Sequence, residues 1–266
     1  MRRRLALAPA RVFLLTTLFV PASASAGCSR DQVAANGEAG ETAIVVQRFP
    51  HDTSAYTQGL EYHDGALYES TGQLGHSTVR VVDLPTGAVQ RQVELAPDRF
   101  GEGLTVVGDR IIQLTWTSGV GYVYDRATLA LQDSFTYEGQ GWGLDYDGET
   151  LIMSDGTSTL RFLDPATFEV LRTVEVRDDG APLTDINELE WINGEVWANV
   201  YRTDYVVRID PATGVVKSWI DLRDVFPASE RPASADVLNG IAHDAATGRT
   251  FVTGKLWPTL FEIRLQ

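Results

Sequence analysis

Residues 103–116, GLTVVGDRIIQLTW, decide the fold, because four other stretches read the same way. They are GLEYHDGALYES (59–70), GLDYDGETLIMSD (143–155), ELEWINGEVWANVY (188–201) and GIAHDAATGRTFVTG (240–254). Each opens on a small or acidic residue and an aliphatic, alternates apolar and polar positions, turns through Gly, Asp or Asn, and alternates again. That is a β-hairpin pattern, since successive side chains of a strand point to opposite faces. The starts, at residues 59, 103, 143, 188 and 240, lie 44, 40, 45 and 52 residues apart. In the first four copies a second hairpin follows, turning at VVDLPTGAV (81–89), VYDRATLAL (123–131), FLDPATFEV (162–170) and RIDPATGVV (208–216). Two hairpins make a four-stranded sheet, and four strands in about 45 residues predict a propeller blade.

The fifth copy is followed by only one more strand, LFEIRL (260–265). The segment AIVVQRF (43–49), rich in β-branched residues and without a partner ahead of the first copy, supplies the missing one. The expected fold is therefore all-β: a five-bladed β-propeller of four-stranded antiparallel blades over residues 42–266, its ring closed by the N-terminal strand joining the last blade. Closure removes two exposed sheet edges at once. An open stack of hairpins is the alternative. No stretch carries sustained helical periodicity, and PASERPASADV (227–237) reads as a long loop between blades four and five.

The chain of 266 residues is 44% hydrophobic and 22% charged, enough apolar material for a large core. Its 36 acidic against 22 basic residues set a net charge of −14, and all four charges of the first 27 residues are arginines. Without that segment the body is more acidic still and repels phosphate backbones, which excludes nucleic acid as a partner. Arg2, Arg3, Arg4 and Arg11 precede the apolar run VFLLTTLFV (12–20), then small residues. Residues 1–27 thus read as a secretory signal, its apolar run too short to span a bilayer. Two exits compete: Ala24-Ser25-Ala26 suits an ordinary signal peptidase, and Ser25-Ala26-Gly27-Cys28 approximates a bacterial lipobox. Cys28 is the sole cysteine, so no internal disulfide forms, and its place at the cleavage point makes it the expected lipidation site. Residues 28–41, small and polar, read as a flexible tether. The expected location is periplasmic or outer-membrane-anchored through Cys28, with a secreted product as the alternative.

Function is sought where the repeats differ. The residue before each copy's start sits at one rim of the central channel: Gln58, Glu102, Trp142, Asn187 and Asn239. The loop entering the first copy adds Tyr56, and the far ends of the second strands add Trp116, Tyr201, Lys255 and Trp257. Together they offer one carboxylate, one ammonium and several flat apolar faces. Each also has a plainer reading. Glu102 between glycines suits a solvated turn, Trp116 and Trp142 suit blade packing, and Asn187 and Asn239 suit strand ends. Lys255 resists dismissal, because the only other lysine is Lys217 and arginine serves everywhere else. The histidines, at 51, 63, 76 and 243, have no HExxH spacing, and neither a GxSxG elbow nor a phosphate-binding glycine loop occurs. Glu102, Asn187 and Asn239 as oxygen donors leave a calcium-dependent lactonase or hydrolase open, and a non-catalytic binding propeller is the other alternative.

The motifs YTQGLEY (56–62), ESTGQLG (69–75), RFGEGLT (99–105), GWGLDYDG (141–148), SDGTSTLRFLDP (154–165), NELEWINGEVWAN (187–199), VLNGIA (237–242) and VTGKLWPTLFEI (252–263) closely resemble the plant-type glutaminyl cyclases, or glutamine cyclotransferases. The resemblance runs from about Phe49 to the C-terminus. It implies a five-bladed propeller that converts an N-terminal glutamine to pyroglutamate with release of ammonia. No cofactor is required, and a structural divalent ion in the channel stays open. Peptides or proteins with N-terminal glutamine are the implied partners of a monomer that meets membrane only through a lipid on Cys28. Carried over position by position, the resemblance makes Glu102 the catalytic acid. Lys255 joins it in catalysis, as oxyanion stabiliser or as orienter of Glu102. It makes Tyr56, Gln58, Trp116, Trp142, Asn187 and Tyr201 the substrate-binding residues, with no metal ligands. Tyr56 stands where the family usually has phenylalanine, and Tyr201 where it usually has tryptophan. Partial burial of Glu102 is expected to raise its pKa toward the range that suits a proton shuttle.

Overall fold

A computed structural model describes residues 40–266, so the signal, the lipobox and all but the end of the tether lie outside the described residues. Every regular element among the described residues is a strand. The first, β1 (Glu41–Pro50), begins inside the expected tether: Glu41 pairs with Ile220, and its carboxylate binds Arg208 at 2.6 Å.

Four-stranded antiparallel meanders follow. The first contains β2 (Thr57–His63), β3 (Ala66–Thr71), β4 (Thr78–Asp83) and β5 (Ala88–Glu94), and the second β6 (Gly101–Val107), β7 (Arg110–Thr115), β8 (Val120–Asp125) and β9 (Leu131–Thr136). The third contains β10 (Leu144–Tyr146), β11 (Leu151–Met153), β12 (Thr159–Leu163) and β13 (Val170–Glu175), followed by a short hairpin of β14 (Arg177–Asp178) and β15 (Ala181–Pro182). An eight-stranded sheet holds the rest. It joins β16 (Ile186–Ile192), β17 (Glu195–Val200), β18 (Tyr205–Ile209) and β19 (Val216–Asp221) through β1 to β20 (Leu238–Asp244), β21 (Arg249–Gly254) and β22 (Thr259–Leu265). Within it β1 runs antiparallel to β22 from Ala43–Leu265 to Pro50–Thr259 and touches β19 in parallel at Glu41 and Thr42. The long loop before β20 covers residues 222–237.

Turn chemistry explains the hairpins. Asp64-Gly65 and Asn193-Gly194 take positive φ at both central residues, the geometry whose twist matches paired strands. The second hairpins repeat another device: Asp83, Asp125, Asp164 and Asp210 each accept the backbone N–H of the threonine three residues on. Burial falls from the inside outward: β6 is buried over nearly its whole length, whereas β5, β9 and β13 are almost wholly exposed. Outer strands such as AVQRQVE are accordingly polar.

The apolar core lies between neighbouring sheets. Tyr68 and Val81 pack on Leu104 and Ile111, Leu114 on Leu144 and Met153, Phe162 on Leu189 and Val196, and Trp197 on Ile241 and Phe261. The cycle returns to its start where Leu60 and Leu67 meet Phe251 and Leu260. The innermost strands β2, β6, β10, β16 and β20 also pack side by side in that order, with β20 against β2. The architecture is all-β and propeller-like.

Each innermost strand has one edge without a strand partner, and acids serve donors on four of them, β2, β6, β16 and β20. Glu61 accepts Val106 N–H at 2.6 Å, Glu188 accepts Leu60 N–H at 3.2 Å and Ile241 N–H at 2.8 Å, and Glu190 accepts His243 N–H at 2.6 Å. Asp145 likewise accepts Trp191 N–H. Burial raises all four, Glu61 to about 8 and Asp145 to about 7, against the N–H bonds that favour their charged forms.

Candidate active site

Where the site residues stand, the innermost strand bulges. Pairing with the second strand slips between Thr57 and Gly59, between Gly101 and Leu104, between Ile186 and Leu189, and between Leu238 and Ile241. Those steps contain Gln58, Glu102, Asn187 and Asn239. A bulge re-aims a side chain that regular pleating would send to a sheet face. The glycines after the site residues are required by how closely the inner strands approach. A Cβ on Gly59 would lie 2.5 Å from Leu104 N, one on Gly103 2.4 Å from Leu144 N, and one on Gly143 2.1 Å from Asn187 O. The fourth copy has Glu188 at this point, the residue whose carboxylate reaches both β2 and β20.

All eight residues expected to catalyse or bind substrate line one cavity of about 340 Å³: Tyr56, Gln58, Glu102, Trp116, Trp142, Asn187, Tyr201 and Lys255. Glu102 is only 4% exposed, which removes the solvated-turn reading. Gln58 Nε2 donates to Glu102 Oε1 at 3.0 Å, and Asn239 Nδ2 steadies the same loop from beneath, donating to Thr57 O at 3.0 Å and to Gln58 Oε1 at 3.4 Å. Trp116 is 42% exposed and therefore walls the mouth instead of packing a blade.

Two rim expectations need correction. Asn239 is fully buried and lies behind Gln58, not on the cavity. Trp257 is 1% exposed in the core against Phe226 and Phe261, its Nε1 donating to Asp236 O at 2.8 Å. It follows a left-handed residue, Leu256, so the chain has turned away from the hub before reaching it.

The walls are aromatic. Tyr56, Phe100 and Trp116 meet edge to face with centroids 6.1 and 5.7 Å apart, and Trp142 meets Tyr201 at 5.4 Å and 80°. Gln140 joins the two sides: its Oε1 accepts Trp116 Nε1 at 2.7 Å and Trp142 Nε1 at 2.9 Å. Gly156 lies against the Trp142 ring so closely that a Cβ there would sit 2.6 Å from it. Phe100, Arg202 and Gln140 went unnoticed in the sequence. Phe100 lies inside the RFGEGLT motif and could have been found there. Gln140 and Arg202 occupy turns that carry no repeat signal.

The charges in the cavity are unusual. Burial pushes the Glu102 carboxyl well above the ordinary carboxylate range, and the Lys255 ammonium offsets only part of this. Lys255 is itself 3% exposed, and burial lowers it to about 8 against the opposing pull of Glu102 and Asp236. Its Nζ lies 4.8 Å from the Tyr56 ring centroid and 5.3 Å from that of Tyr201, cation–π distances. Among the described residues Lys255 forms no ion pair with Glu102 within 4.0 Å, so Gln58 is what holds the carboxyl. Burial and the neighbouring Asp236 raise the Tyr56 hydroxyl, which stays a neutral donor. A buried acid with a raised pKa, an ammonium and a small aromatic box can move a proton and stabilise an oxyanion on a compact substrate.

Residues 15–265 match the family described as glutamine cyclotransferase. A glutaminyl-peptide cyclotransferase of Arabidopsis thaliana is 46% identical over 228 residues, covering 84% of this chain and 71% of the relative. The crystal structure of Myxococcus xanthus glutaminyl cyclase superposes with a TM-score of 0.79 at 40% identity, over 85% of this chain and 97% of that one. Extent, identity and fold agree with the motif resemblance from Phe49 onward, and the chain belongs to the glutamine cyclotransferase family.

Proposed function

We propose that this protein cyclises N-terminal glutamine of peptides or proteins to pyroglutamate and releases ammonia. The observation that carries this reading is Glu102, a buried carboxyl with raised pKa, held by one donor and facing a cavity of aromatic rings. The substrate's α-amine attacks its own side-chain amide carbon, so the N–C bond of the lactam forms and the bond to the amide nitrogen breaks. No water or external nucleophile enters. The aromatic walls fold the glutamine into a ring-like conformer, which replaces a bimolecular encounter by positioning. Glu102, as carboxylate, takes the proton of the attacking nitrogen and returns it to the departing ammonia. Gln58 and Asn187 hold the substrate's amide and backbone. Lys255, unpaired with Glu102 and facing the rings, stabilises the tetrahedral oxyanion.

The same reading takes the fold as a five-bladed propeller. Its support is the cyclic packing of the five innermost strands and the pairing of β1 with β22. It takes residues 1–27 as a signal and Cys28 as the lipid-bearing residue of an exported monomer, on the strength of the sequence pattern. The test is mass spectrometry of a Gln-initiated peptide after incubation, with and without EDTA. Loss of one ammonia in both arms is the expected result. Loss that stops in EDTA favours the metal-dependent alternative, and an unchanged peptide overturns the reading.

A further inference from the structure

Two or three residues past the end of the second strand, four of the five repeats share a left-handed corner. Gln73, Gly156, Arg202 and Leu256 all take positive φ there, at 84°, 80°, 64° and 60°. Glycine fills this corner without steric cost, as Gly156 does, so a side chain at the others is carried despite the backbone it must adopt. At residue 202 that side chain is a cation. The turn that presents it is tight: Thr203 N–H and Oγ1 both donate to Val200 O, at 3.1 and 2.7 Å, and Tyr201 N–H donates to Asp185 O at 2.8 Å. Arg202 is exposed, lines the cavity, and its guanidinium carbon lies 5.0 Å from the Tyr201 ring centroid. Among the described residues it makes no hydrogen bond or ion pair, whereas Arg161, Arg208 and Arg231 are each bound to a carboxylate at 2.6 to 2.8 Å.

We propose that Arg202 is a specificity residue that reads a carboxylate on the residue following the cyclising glutamine; the proposal rests on the cyclotransferase reading above. With the glutamine's amine and amide held at Glu102, the rest of the peptide leaves through the open mouth, past exposed Trp116 and Arg202. Lys255 is buried between Glu102, Asp236 and two rings and is engaged there. Arg202 is therefore the cation that the second residue meets, and its planar fork suits a carboxylate. At long range the net charge of −14 attracts basic peptides, yet salt confines that field to about 8–10 Å, so the nearest charge governs the bound state. The carboxylate has two sources: an acidic side chain at the second position, or the free C-terminus of a dipeptide.

The test compares kcat/KM for Gln-Ala amide, Gln-Glu amide, Gln-Lys amide and Gln-Ala free acid, at low and high salt, with the full chain and its R202Q and R202E variants. Glutamine already occupies the equivalent corner at Gln73, so R202Q keeps a residue type this backbone accepts. An exposed pair supports about two- to fivefold preference for Gln-Glu over Gln-Ala amide at low salt, expressed in KM and shrinking with salt. R202Q brings all four substrates within about twofold, R202E inverts the order, and K217Q, an equal charge loss on the outside of the molecule, leaves it alone. A gain confined to Gln-Ala free acid assigns the α-carboxylate, and a gain confined to Gln-Glu amide assigns the side chain; either supports the proposal. A preference that survives R202Q, or a wild type that treats all four alike, overturns it. Failure to cyclise any of the four overturns the underlying reading instead.

Discussion

Replacing Glu102 by Gln separates catalysis from stability in one variant. The amide keeps the shape of the carboxyl, and by turning its oxygen toward Gln58 Nε2 it keeps the 3.0 Å bond that holds the position. What it loses is proton transfer, which is worth about 10²–10⁴-fold in turnover. The stability effect runs the other way. Burial raises the folded-state pKa of Glu102 above its unfolded value, so above the ordinary carboxylate range the native state holds a proton that the unfolded chain has released. Stability of the wild type then falls as pH rises, by up to about 1.4 kcal/mol per pH unit, until Glu102 ionises in the folded state. Glutamine does not titrate. The variant and wild type should match near pH 4, and the gap in Tm should widen by about 3–6 °C per pH unit above it, at about 2–4 °C per kcal/mol. Ammonia release measured beside scanning fluorimetry across pH 4–7.5 checks both halves. Near-normal turnover would show that another group carries the proton. A Tm difference flat in pH would show that the carboxyl is not buried in its neutral form.

Other consequences are open to direct measurement. Lys255→Ala removes the buried ammonium facing Tyr56 and Tyr201 and should cut kcat by about 10²-fold or more, whereas Lys217→Ala, which removes only an exposed partner of Glu195, should leave kinetics unchanged; equal effects in steady-state assays would contradict the assignment. Gln140→Leu deprives both indoles of their shared acceptor, so KM should rise several-fold with a smaller change in kcat, accompanied by a shift in tryptophan emission; Gln140→Glu, which keeps an acceptor, should restore much of the loss. Gly103→Ala drives a Cβ to within 2.4 Å of Leu144 N and 2.6 Å of Trp142 O, backbone atoms that cannot step aside, and should cost at least about 2–3 kcal/mol in denaturant unfolding.

Much of the fold was legible because its information is local and repeated. Alternation, turn residues and the five similar openings each specify a hairpin without reference to anything distant, and the one unpaired strand at 43–49 had a single place to go. The rim was legible for a related reason: a residue directly before a repeated glycine occupies the same spot in every copy, so non-identical residues there declare themselves. The repeat misleads where the backbone departs from it. Trp257 lies three residues past the end of its strand, beyond the left-handed Leu256, and turns inward to the core. Asn239 sits at the equivalent bulge yet is spent on Thr57 O, because the neighbouring Gln58 already occupies the cavity side.

The amino-acid pattern alone determined the strand order and the identities of eight of the cavity's ten lining residues, since each follows from period and position within a repeat. Tertiary structure alone decided how charged those residues are, what holds them and what they face. Glu102 is pushed toward its neutral form, Gln140 bridges two indoles, and Arg202 stands without a carboxylate partner among the described residues, because desolvation, shared acceptors and missing partners arise only when separate strands and loops are brought into contact.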